Sequence, residues 1–213
     1  MYKKIFNIKR ILSKIRSIES LQYASIDSPA VFFERKHKKF NKETAVDLGC
    51  GNAPQNPMNC KKVIGIDIHN PQHREDIVTR DLFFEHLPFE SGSVDVVTAH
   101  DFIEHIPRYN QGKNGETRFP FVLIMDEVFR VLRPGGYFYS RTPAFPKPQV
   151  FQDPTHVNIL TEETFPKYFC SHQWGGVVNK PWGSYYGFKG DFELVDQKWC
   201  HHWLLTLLHK PEI

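Results

Sequence analysis

The sequence predicts an α/β fold built on a mostly parallel sheet, and three observations lead to this prediction. Short apolar segments, each ended by a glycine or a polar residue, recur along the middle of the chain. Helical or short connecting segments separate them, which is typical of a parallel sheet covered on both faces. Two further apolar segments lie close together near the C-terminus and predict a hairpin. The predicted strands of the middle part are 44–49, 63–67, 77–79, 94–99 and 137–140.

The helices and the hairpin follow from apolar spacing and from stop signals. Residues 119–133 carry a broad apolar face, and the sequence Arg133–Gly136 ends the predicted helix. Residues 161–168 predict a short helix, because a threonine precedes two glutamates in its first turn. Only two residues separate the segments 192–199 and 202–209, which favours an antiparallel hairpin at one edge of the sheet.

The charge distribution divides the chain into two parts. The 213 residues suit one domain, which we expect over residues 43–213, after a lead-in of residues 1–42. Eleven basic and three acidic residues give this lead-in a net charge of +8, whereas the remainder carries −5. Apolar residues at three- and four-residue steps over 5–18 predict a basic amphipathic helix. Two interpretations stay open: the helix docks on its own domain, or it contacts an anionic partner such as a membrane surface.

Composition excludes several classes of protein. No apolar run approaches the ~18 residues of a membrane-spanning helix, and the charged N-terminus lacks the apolar core of a secretory signal. The four cysteines form no Cys-x-x-Cys pair, so neither a zinc finger nor a secreted disulfide framework is predicted. They are Cys50, Cys60, Cys170 and Cys200. We therefore expect a reducing, cytoplasmic location.

A glycine-rich loop at the end of the first predicted strand contains Asp47, Gly49 and Gly51. The loop lacks the spacing of a dinucleotide fingerprint and the Lys-Ser/Thr pair of a P-loop, so phosphate binding is not indicated. An acid beside the loop suits an ammonium group, and Asp67 at the end of the second strand suits the two hydroxyls of a ribose. These residues together predict an adenosine-like ligand that carries an amino group and places no phosphate at the loop.

An ordered series of motifs over residues 44–143 resembles the cofactor half of class I S-adenosylmethionine-dependent methyltransferases, with a type 11/23-like domain. The series consists of Asp47-x-Gly49-x-Gly51, Gly65-Ile66-Asp67, Arg80-Asp81-Leu82, Leu87-Pro88-Phe89 and Leu132–Gly136. The third glycine that is common in this family is Ala53 here. The resemblance implies a Rossmann-like, doubly wound sheet of seven strands, mostly parallel, with an antiparallel last strand. It also implies S-adenosylmethionine as the cofactor.

The resemblance assigns roles to individual residues. Asp47, Gly49 and Gly51 would hold the methionine end of the cofactor. Asp67 would bind the ribose and Asp81 the adenine amine, while the side chain of Cys50 is expected to be passive. The residues expected at the cofactor are Asp47, Gly49, Cys50, Gly51, Asp67, Ile68, Asp81, Leu82 and His100, the last beside the methyl donor.

Asp101, Glu104 and His105 follow the fourth strand at i, i+3 and i+4 spacing, which brings three side chains to one face of a helical turn. His156, in a proline-rich loop after the fifth strand, is a fourth candidate. This donor set suits Mg²⁺ or Mn²⁺. It resembles the metal site of small-RNA 3′-terminal 2′-O-methyltransferases, which have glutamate where this chain has Asp101. Without a metal, His105 or His156 is the candidate catalytic base, because the pKa of histidine suits proton removal from a hydroxyl. Both interpretations stay open.

These observations predict a methyltransferase that acts on an oxygen of a small-molecule or sugar-like acceptor. The segments expected beside the acceptor are 107–118, 143–160 and 171–190. One alternative is an RNA ribose 2′-O-methyltransferase with a divalent metal, which the basic lead-in supports and the small size of the chain opposes. The other is a non-catalytic scaffold subunit that binds the cofactor. The pair His201–His202 is expected to be structural, because adjacent side chains of a strand point to opposite faces.

Overall fold

The structure, a computed structural model, describes Ser28, Pro29, Phe32 and residues 43–112 and 114–212. The strands of this part are β1 (Thr44–Leu48), β2 (Lys62–Asp67), β3 (Ile77–Thr79), β4 (Val94–His100), β5 (Asn110–Gln111), β6 (Thr117–Arg118), β7 (Leu132–Pro143), β8 (His172–Trp174), β9 (Val177–Asn179), β10 (Glu193–Cys200) and β11 (Trp203–His209). Its α-helices are α1 (Pro120–Val131) and α2 (Thr164–Tyr168), and 3₁₀ turns span Ile103–His105, Pro148–Phe151 and Trp182–Tyr186.

Seven strands form one sheet in the order β10-β11-β7-β4-β1-β2-β3. Strands β3, β2, β1, β4 and β7 are parallel, whereas β11 is antiparallel to both β7 and β10. The prediction of a doubly wound, seven-stranded, mostly parallel sheet with an antiparallel last strand is confirmed. The predicted C-terminal hairpin is β10–β11. It joins the sheet through β11, whose register pairs Trp203 with Pro143 at the end of β7.

Apolar side chains on the two faces of the sheet form two separate packed clusters. The larger cluster includes Val128 of α1 and Leu204 of β11, both fully buried. The smaller cluster includes Leu205 of β11, Tyr139 of β7 and Phe32. Neighbouring residues of β11 thus pack on opposite faces, as the two-residue period of a strand requires. Strand β4 is buried along its whole length, which agrees with a parallel sheet covered on both faces.

The element boundaries differ from the predicted ones for local reasons. Helix α1 ends at Val131, two residues earlier than predicted, because Leu132 has an extended backbone and already pairs with Val94 of β4. Helix α2 begins at Thr164, three residues later than predicted. Its predicted first turn is held by a hydrogen bond from the N–H of Thr161 to the Thr164 hydroxyl at 2.9 Å. The connections β1–β2 and β2–β3 contain no helix, so short crossovers join these strands.

The lead-in of residues 1–42 is described only at Ser28, Pro29 and Phe32. The predicted amphipathic helix over 5–18 lies outside the described residues, so its docking and the domain boundary stay predictions. The Phe32 ring is buried and packs against Tyr139, with 5.8 Å between ring centroids. All four cysteines are described, and each is buried. None of the described helices has the length and apolarity needed to cross a membrane.

Candidate active site

The strand ends at one edge of the sheet enclose a pocket of about 250 Å³, which we call the strand-end pocket. Ligands of open parallel sheets bind outside the carboxyl ends of the strands. The pocket is lined by Gly49, Ile66, Asp67, Ile68, Arg80, Asp81, Leu82, Phe83, Asp101, Phe102 and His105. Gly49, Asp67, Ile68, Asp81 and Leu82, all predicted at the cofactor, therefore meet in one pocket.

Two glycines shape the loop after β1 in different ways. Gly49 has a φ of +64°, in the left-handed region that favours glycine, and a Cβ there would lie 2.3 Å from Cδ2 of Phe102. Gly51 has a φ of +58°, but a Cβ there would meet no atom within 4 Å. Gly49 thus admits the Phe102 ring, whereas Gly51 leaves open space in front of the loop.

Alanine at position 49 is expected to lower the free energy of unfolding by about 3 kcal/mol, because it adds an overlap with Phe102 to an unfavourable φ. Gly51→Ala is the matched control and should cost about 1 kcal/mol, from the backbone alone. Urea denaturation measures both values. Equal losses in the two variants would contradict the role assigned to the Phe102 contact.

Two carboxylates of the strand-end pocket are held by backbone amides. Asp67 accepts the N–H of Gly51 at 2.8 Å and that of His69 at 2.9 Å. Asp81 accepts the N–H of Phe83 at 3.0 Å through Oδ1, and its Oδ2 has no partner among the described residues. Each carboxylate oxygen can accept two hydrogen bonds. Both side chains therefore retain capacity for the hydroxyl or amino groups of a ligand.

Asp47 and His100, both predicted at the methionine end of the cofactor, do not line the strand-end pocket. Oδ1 of Asp47 accepts the Thr98 hydroxyl at 2.7 Å and lies 3.1 Å from Nδ1 of His100. Oδ2 accepts the N–H of Gln55 at 2.8 Å. Asp47 and His100 are buried, so Asp47 ties the loop after β1 to strand β4. Direct contacts of either residue with a cofactor stay a prediction.

Cys50 is placed as a packing residue. A Cβ at position 65 would lie 2.4 Å from Sγ of Cys50, so this thiol fills the space that Gly65 leaves. Burial, together with the charge of Asp47, raises the pKa of the Cys50 thiol to about 12. The thiol is therefore protonated and unreactive at neutral pH. This placement is compatible with the passive role predicted from the sequence.

A larger cavity of about 650 Å³ opens beside the strand-end pocket, and we call it the polar cleft. It is lined by Asp101, Glu104, His105, Pro143, Gln149, Gln152, Asp153, Pro154, His156, His202 and Trp203. Asp101 and His105 line both cavities. A ligand in the strand-end pocket and a ligand in the polar cleft can therefore meet at these two residues.

Glu104, His105 and His156 bring their donor atoms within 4.8 Å of one another in the polar cleft. Glu104 is fully buried, and its Oε2 accepts the Thr142 hydroxyl at 2.7 Å. Its Oε1 has no hydrogen-bond partner among the described residues. Burial raises the pKa of Glu104 to about 7. An unpaired carboxylate oxygen in the interior is costly, and a proton or a bound cation would satisfy it.

The hydrogen bonds of the two histidines leave one ring nitrogen of each available. The Thr155 hydroxyl donates to Asp153 at 2.7 Å, so it accepts the proton on Nδ1 of His105 at 3.0 Å. Nδ1 of His156 lies 3.0 Å from the carbonyl oxygen of Val150 and therefore carries a proton as well. In the neutral rings Nε2 keeps its lone pair. Hydrogen bonds of this kind orient histidines that bind metals or act as bases.

Asp101 does not join the other three members of the predicted metal set. Its carboxylate forms an ion pair with Arg141 and accepts the indole N–H of Trp203 at 2.7 Å. The Arg141 guanidinium also lies 4.9 Å from the centroid of the Trp203 ring. Both oxygens of Asp101 are thus engaged. The cluster that the structure gathers consists of Glu104 and the two histidines.

Thr142, Thr155 and Trp203 are site residues that sequence reasoning missed. The Trp203 side chain donates a hydrogen bond to Asp101, which lies 102 positions earlier in the sequence. The two residues meet because β11 runs antiparallel to β7 and Trp203 pairs with Pro143 at the end of β7. Threonines are common in strands and loops, so no local motif marks the two that bond to Glu104 and His105. The C-terminal hairpin was the one feature of the sequence that pointed toward Trp203. Its register depends on the packing of the whole sheet, so the hairpin alone could not place this residue at the site.

Comparison with known proteins identifies a domain in the middle of the chain. Residues 46–140 match the family described as a methyltransferase domain. Residues 46–140 of the chain form a methyltransferase domain. A comparison of the sequence with curated proteins gives no significant match.

Two solved structures resemble the chain that carries this methyltransferase domain. A chain of the complex between the Haloferax volcanii Trm112 methyltransferase activator and a methyltransferase is 14% identical, with a TM-score of 0.53. The alignment covers 86% of this chain and 88% of that chain. The cyclase SpnF is also 14% identical, with a TM-score of 0.52, and 81% of this chain and 76% of that chain are covered. At this identity the likeness shows the fold alone, and the function has to be inferred from the site.

S-adenosylmethionine is the cofactor of this family, and the strand-end pocket of the methyltransferase domain fits its adenosine part. Asp67 and Asp81 offer carboxylate oxygens to hydroxyl and amino groups. Ile68, 53% exposed, offers an apolar face to a flat ring. The open space at Gly51 lets the backbone approach a ligand closely. The residues present therefore suit the cofactor.

Proposed function

We propose that the methyltransferase domain transfers a methyl group from S-adenosylmethionine to an oxygen of a small, sugar-like acceptor in the polar cleft. The observation that carries this proposal is the junction of two cavities at Asp101 and His105. One cavity suits the adenosine part of the cofactor, and the other is large enough for a small acceptor. Methyl transfer needs the two reactants side by side and in line, which adjoining cavities provide.

The lining of the polar cleft favours an acceptor rich in hydroxyl groups. Gln149 and Gln152 offer amide donors and acceptors, and Asp153 offers carboxylate oxygens. The Trp203 ring, which packs against His202 with 4.1 Å between ring centroids, adds apolar surface to the lining. These groups can bind several hydroxyls at once, whereas a purely apolar acceptor would leave them without partners.

His105 is the proposed base in the metal-free reaction. Nε2 of His105 would accept the proton of the acceptor hydroxyl. At the same time the hydroxyl oxygen would bond to the methyl carbon, and the bond between this carbon and sulfur would break, which leaves S-adenosylhomocysteine. The positive charge gained by His105 is stabilised through Thr155, whose hydroxyl donates to the Asp153 carboxylate. His156, 4.9 Å from His105 between ring centroids, is the second candidate base.

The same cluster could also hold a divalent metal. Glu104, His105 and His156 would be its protein ligands, and Glu104 Oε1 would gain the partner that it lacks. A bound metal lowers the pKa of a coordinated hydroxyl. One carboxylate and two imidazoles favour Mn²⁺ or a similar metal over Mg²⁺, which prefers oxygen ligands. Asp101 lies outside this cluster, so the set contains one carboxylate and not two.

Titration calorimetry with S-adenosylmethionine tests the cofactor half of the proposal. We expect binding to the wild type and an affinity at least tenfold lower in Asp67→Ala, because charge-assisted hydrogen bonds to the ribose are lost. Asp76→Ala is the matched control: this exposed carboxylate pairs with Arg74 outside the pocket, so the affinity should not change. Failure of the wild type to bind the cofactor would refute the proposal.

A radiolabelled methyl group on the cofactor tests the acceptor half. We expect label in sugars, polyols or other hydroxylated small molecules of a cell extract. Label in the RNA fraction, with binding that weakens steeply as salt is added, would instead favour ribose 2′-O-methylation. Cofactor binding without label in either fraction would favour a scaffold subunit.

A further inference from the structure

A third cavity, of about 350 Å³, lies beside the start of α1, and we call it the aromatic cavity. It is lined by Arg108, Tyr109, Phe119, Phe121, Val122, Asn158, Ile159, Thr164, Tyr168 and Tyr186. None of these described residues lines the strand-end pocket or the polar cleft. The aromatic cavity therefore shares no lining residue with the two cavities used in the proposed reaction.

The aromatic rings of this cavity form a rigid interior and an open rim. Phe121 is buried and packs edge-to-face on Phe169, with 5.2 Å between ring centroids. Phe119 contacts Tyr186 in the same manner at 5.0 Å. Tyr109 is 70% exposed and Tyr186 is 45% exposed. Exposed rings at the entrance to an apolar cavity suit a flat hydrophobic ligand, which would cover them.

Arg108 is the one charged residue among those that line the aromatic cavity. Its Nη2 donates to the carbonyl oxygen of Ile159 at 2.6 Å. Among the described residues it forms no ion pair, and further N–H groups of its guanidinium have no protein partner. No carboxylate of the lining competes for this charge. A planar guanidinium with free donors recognises a carboxylate through two parallel hydrogen bonds.

We propose that the aromatic cavity is a binding site for an aromatic carboxylate. The ring of the ligand lies among Tyr109, Phe119 and Tyr186, and its carboxylate pairs with Arg108. Both the charge and the rings are needed for this selectivity. Without Arg108 the apolar cavity would not select an anion, and without the aromatic rings Arg108 would not select an aromatic ligand. It does not depend on the methyl acceptor proposed above, since the two sites share no residue.

Calorimetry with 2-naphthoate and its neutral analogue 2-naphthamide on the full chain tests this inference. The wild type should bind 2-naphthoate about tenfold more tightly than 2-naphthamide, because only the former pairs with Arg108. In Arg108→Gln the two affinities should become equal. Arg118→Gln is the matched control, because Arg118 lies outside the lining and its loss should change neither affinity. Saturation with S-adenosylhomocysteine should leave the 2-naphthoate affinity unchanged.

Three results would overturn the inference: no binding of 2-naphthoate, equal affinities of the two compounds for the wild type, or competition between 2-naphthoate and S-adenosylhomocysteine. Circular dichroism of Arg108→Gln checks that the variant is folded. If it is not, Tyr186→Ala at the exposed rim provides a second variant. It should weaken the binding of both compounds, since it removes a ring contact and no charge, and unchanged affinities would likewise contradict the proposal.

Discussion

Alanine in place of His105 is expected to lower kcat for methyl transfer by about 10²- to 10³-fold, the usual contribution of a positioned base or ligand. His105 lines both the strand-end pocket and the polar cleft, and its Nε2 is the proposed proton acceptor. The affinity for S-adenosylmethionine should change far less, because the carboxylates Asp67 and Asp81 are untouched. Single-turnover kinetics and calorimetry measure the two quantities separately.

His201→Ala is the matched control for this prediction. His201 lies in the turn between β10 and β11 and lines neither cavity. Its replacement should leave kcat within about twofold, as expected for an exposed surface residue. A loss of kcat in His201→Ala as large as that in His105→Ala would contradict the proposed site.

A chelator separates the two roles that are open to His105. If the cluster works as a base, EDTA should leave kcat unchanged and His156→Ala should have a smaller effect than His105→Ala. If it works through a metal, EDTA should abolish activity, and added Mn²⁺ should restore the wild type but not His156→Ala. Binding of Mn²⁺, followed by electron paramagnetic resonance, reports the same distinction without an acceptor.

Glutamine in place of Glu104 is expected to stabilise the metal-free fold by ~3 kcal/mol above neutral pH. Burial raises the pKa of Glu104 to about 7 in the folded protein, whereas a glutamate in an unfolded chain titrates near 4.3. As the pH rises from that value to about 7, the unfolded state loses its proton first and the folded state is progressively destabilised. Glutamine does not ionise, and its side chain can still bond to Thr142.

Urea denaturation between pH 4 and pH 8, with EDTA present, measures this difference. The two proteins should have about the same free energy of unfolding near pH 4. As the pH rises, the free energy of unfolding of Glu104→Gln should exceed that of the wild type by a growing margin. If the cluster works through a metal, the same variant should lose most of its methyl transfer activity, because glutamine is not an anionic ligand. A stabilised but inactive variant would show that Glu104 is kept for function at the expense of stability.

Glu127→Gln is the control for the pH dependence, because it has the opposite sign. Desolvation is the largest single effect on Glu127 and opposes its ionisation. The hydrogen bonds from Arg130 and from the N–H of Leu87, together with the charge of Arg130, outweigh it and lower the pKa of this carboxyl. A lowered pKa stabilises the folded state above the pKa of the unfolded chain, and this stabilisation is lost as the pH falls. Glu127→Gln should therefore weaken the fold near neutral pH. Parallel pH profiles for the two variants would contradict the environment assigned to Glu104.

The features that were predictable from the sequence are those encoded by neighbouring residues. Gly49 directly follows β1, and Asp67 ends β2. In a parallel sheet the carboxyl ends of strands meet at one edge, so such residues converge whatever the details of packing. The spacing of Glu104 and His105 on one turn was local in the same sense. For Glu104 and His105, a spacing of one position on a turn was sufficient to predict that their side chains lie close together.

The sequence by itself determined the class of fold, the edge of the sheet at which Gly49, Asp67 and Asp81 meet, and the grouping of Glu104 with two histidines. Only the tertiary structure decided that Asp101 is engaged by Arg141 and Trp203, and that Asp47 is engaged by Thr98. It also decided that Arg108 faces a cavity assembled from separate parts of the chain. The physical reason is that a strand or turn is favoured by its own residues, whereas the partner of a side chain depends on register and packing between distant segments.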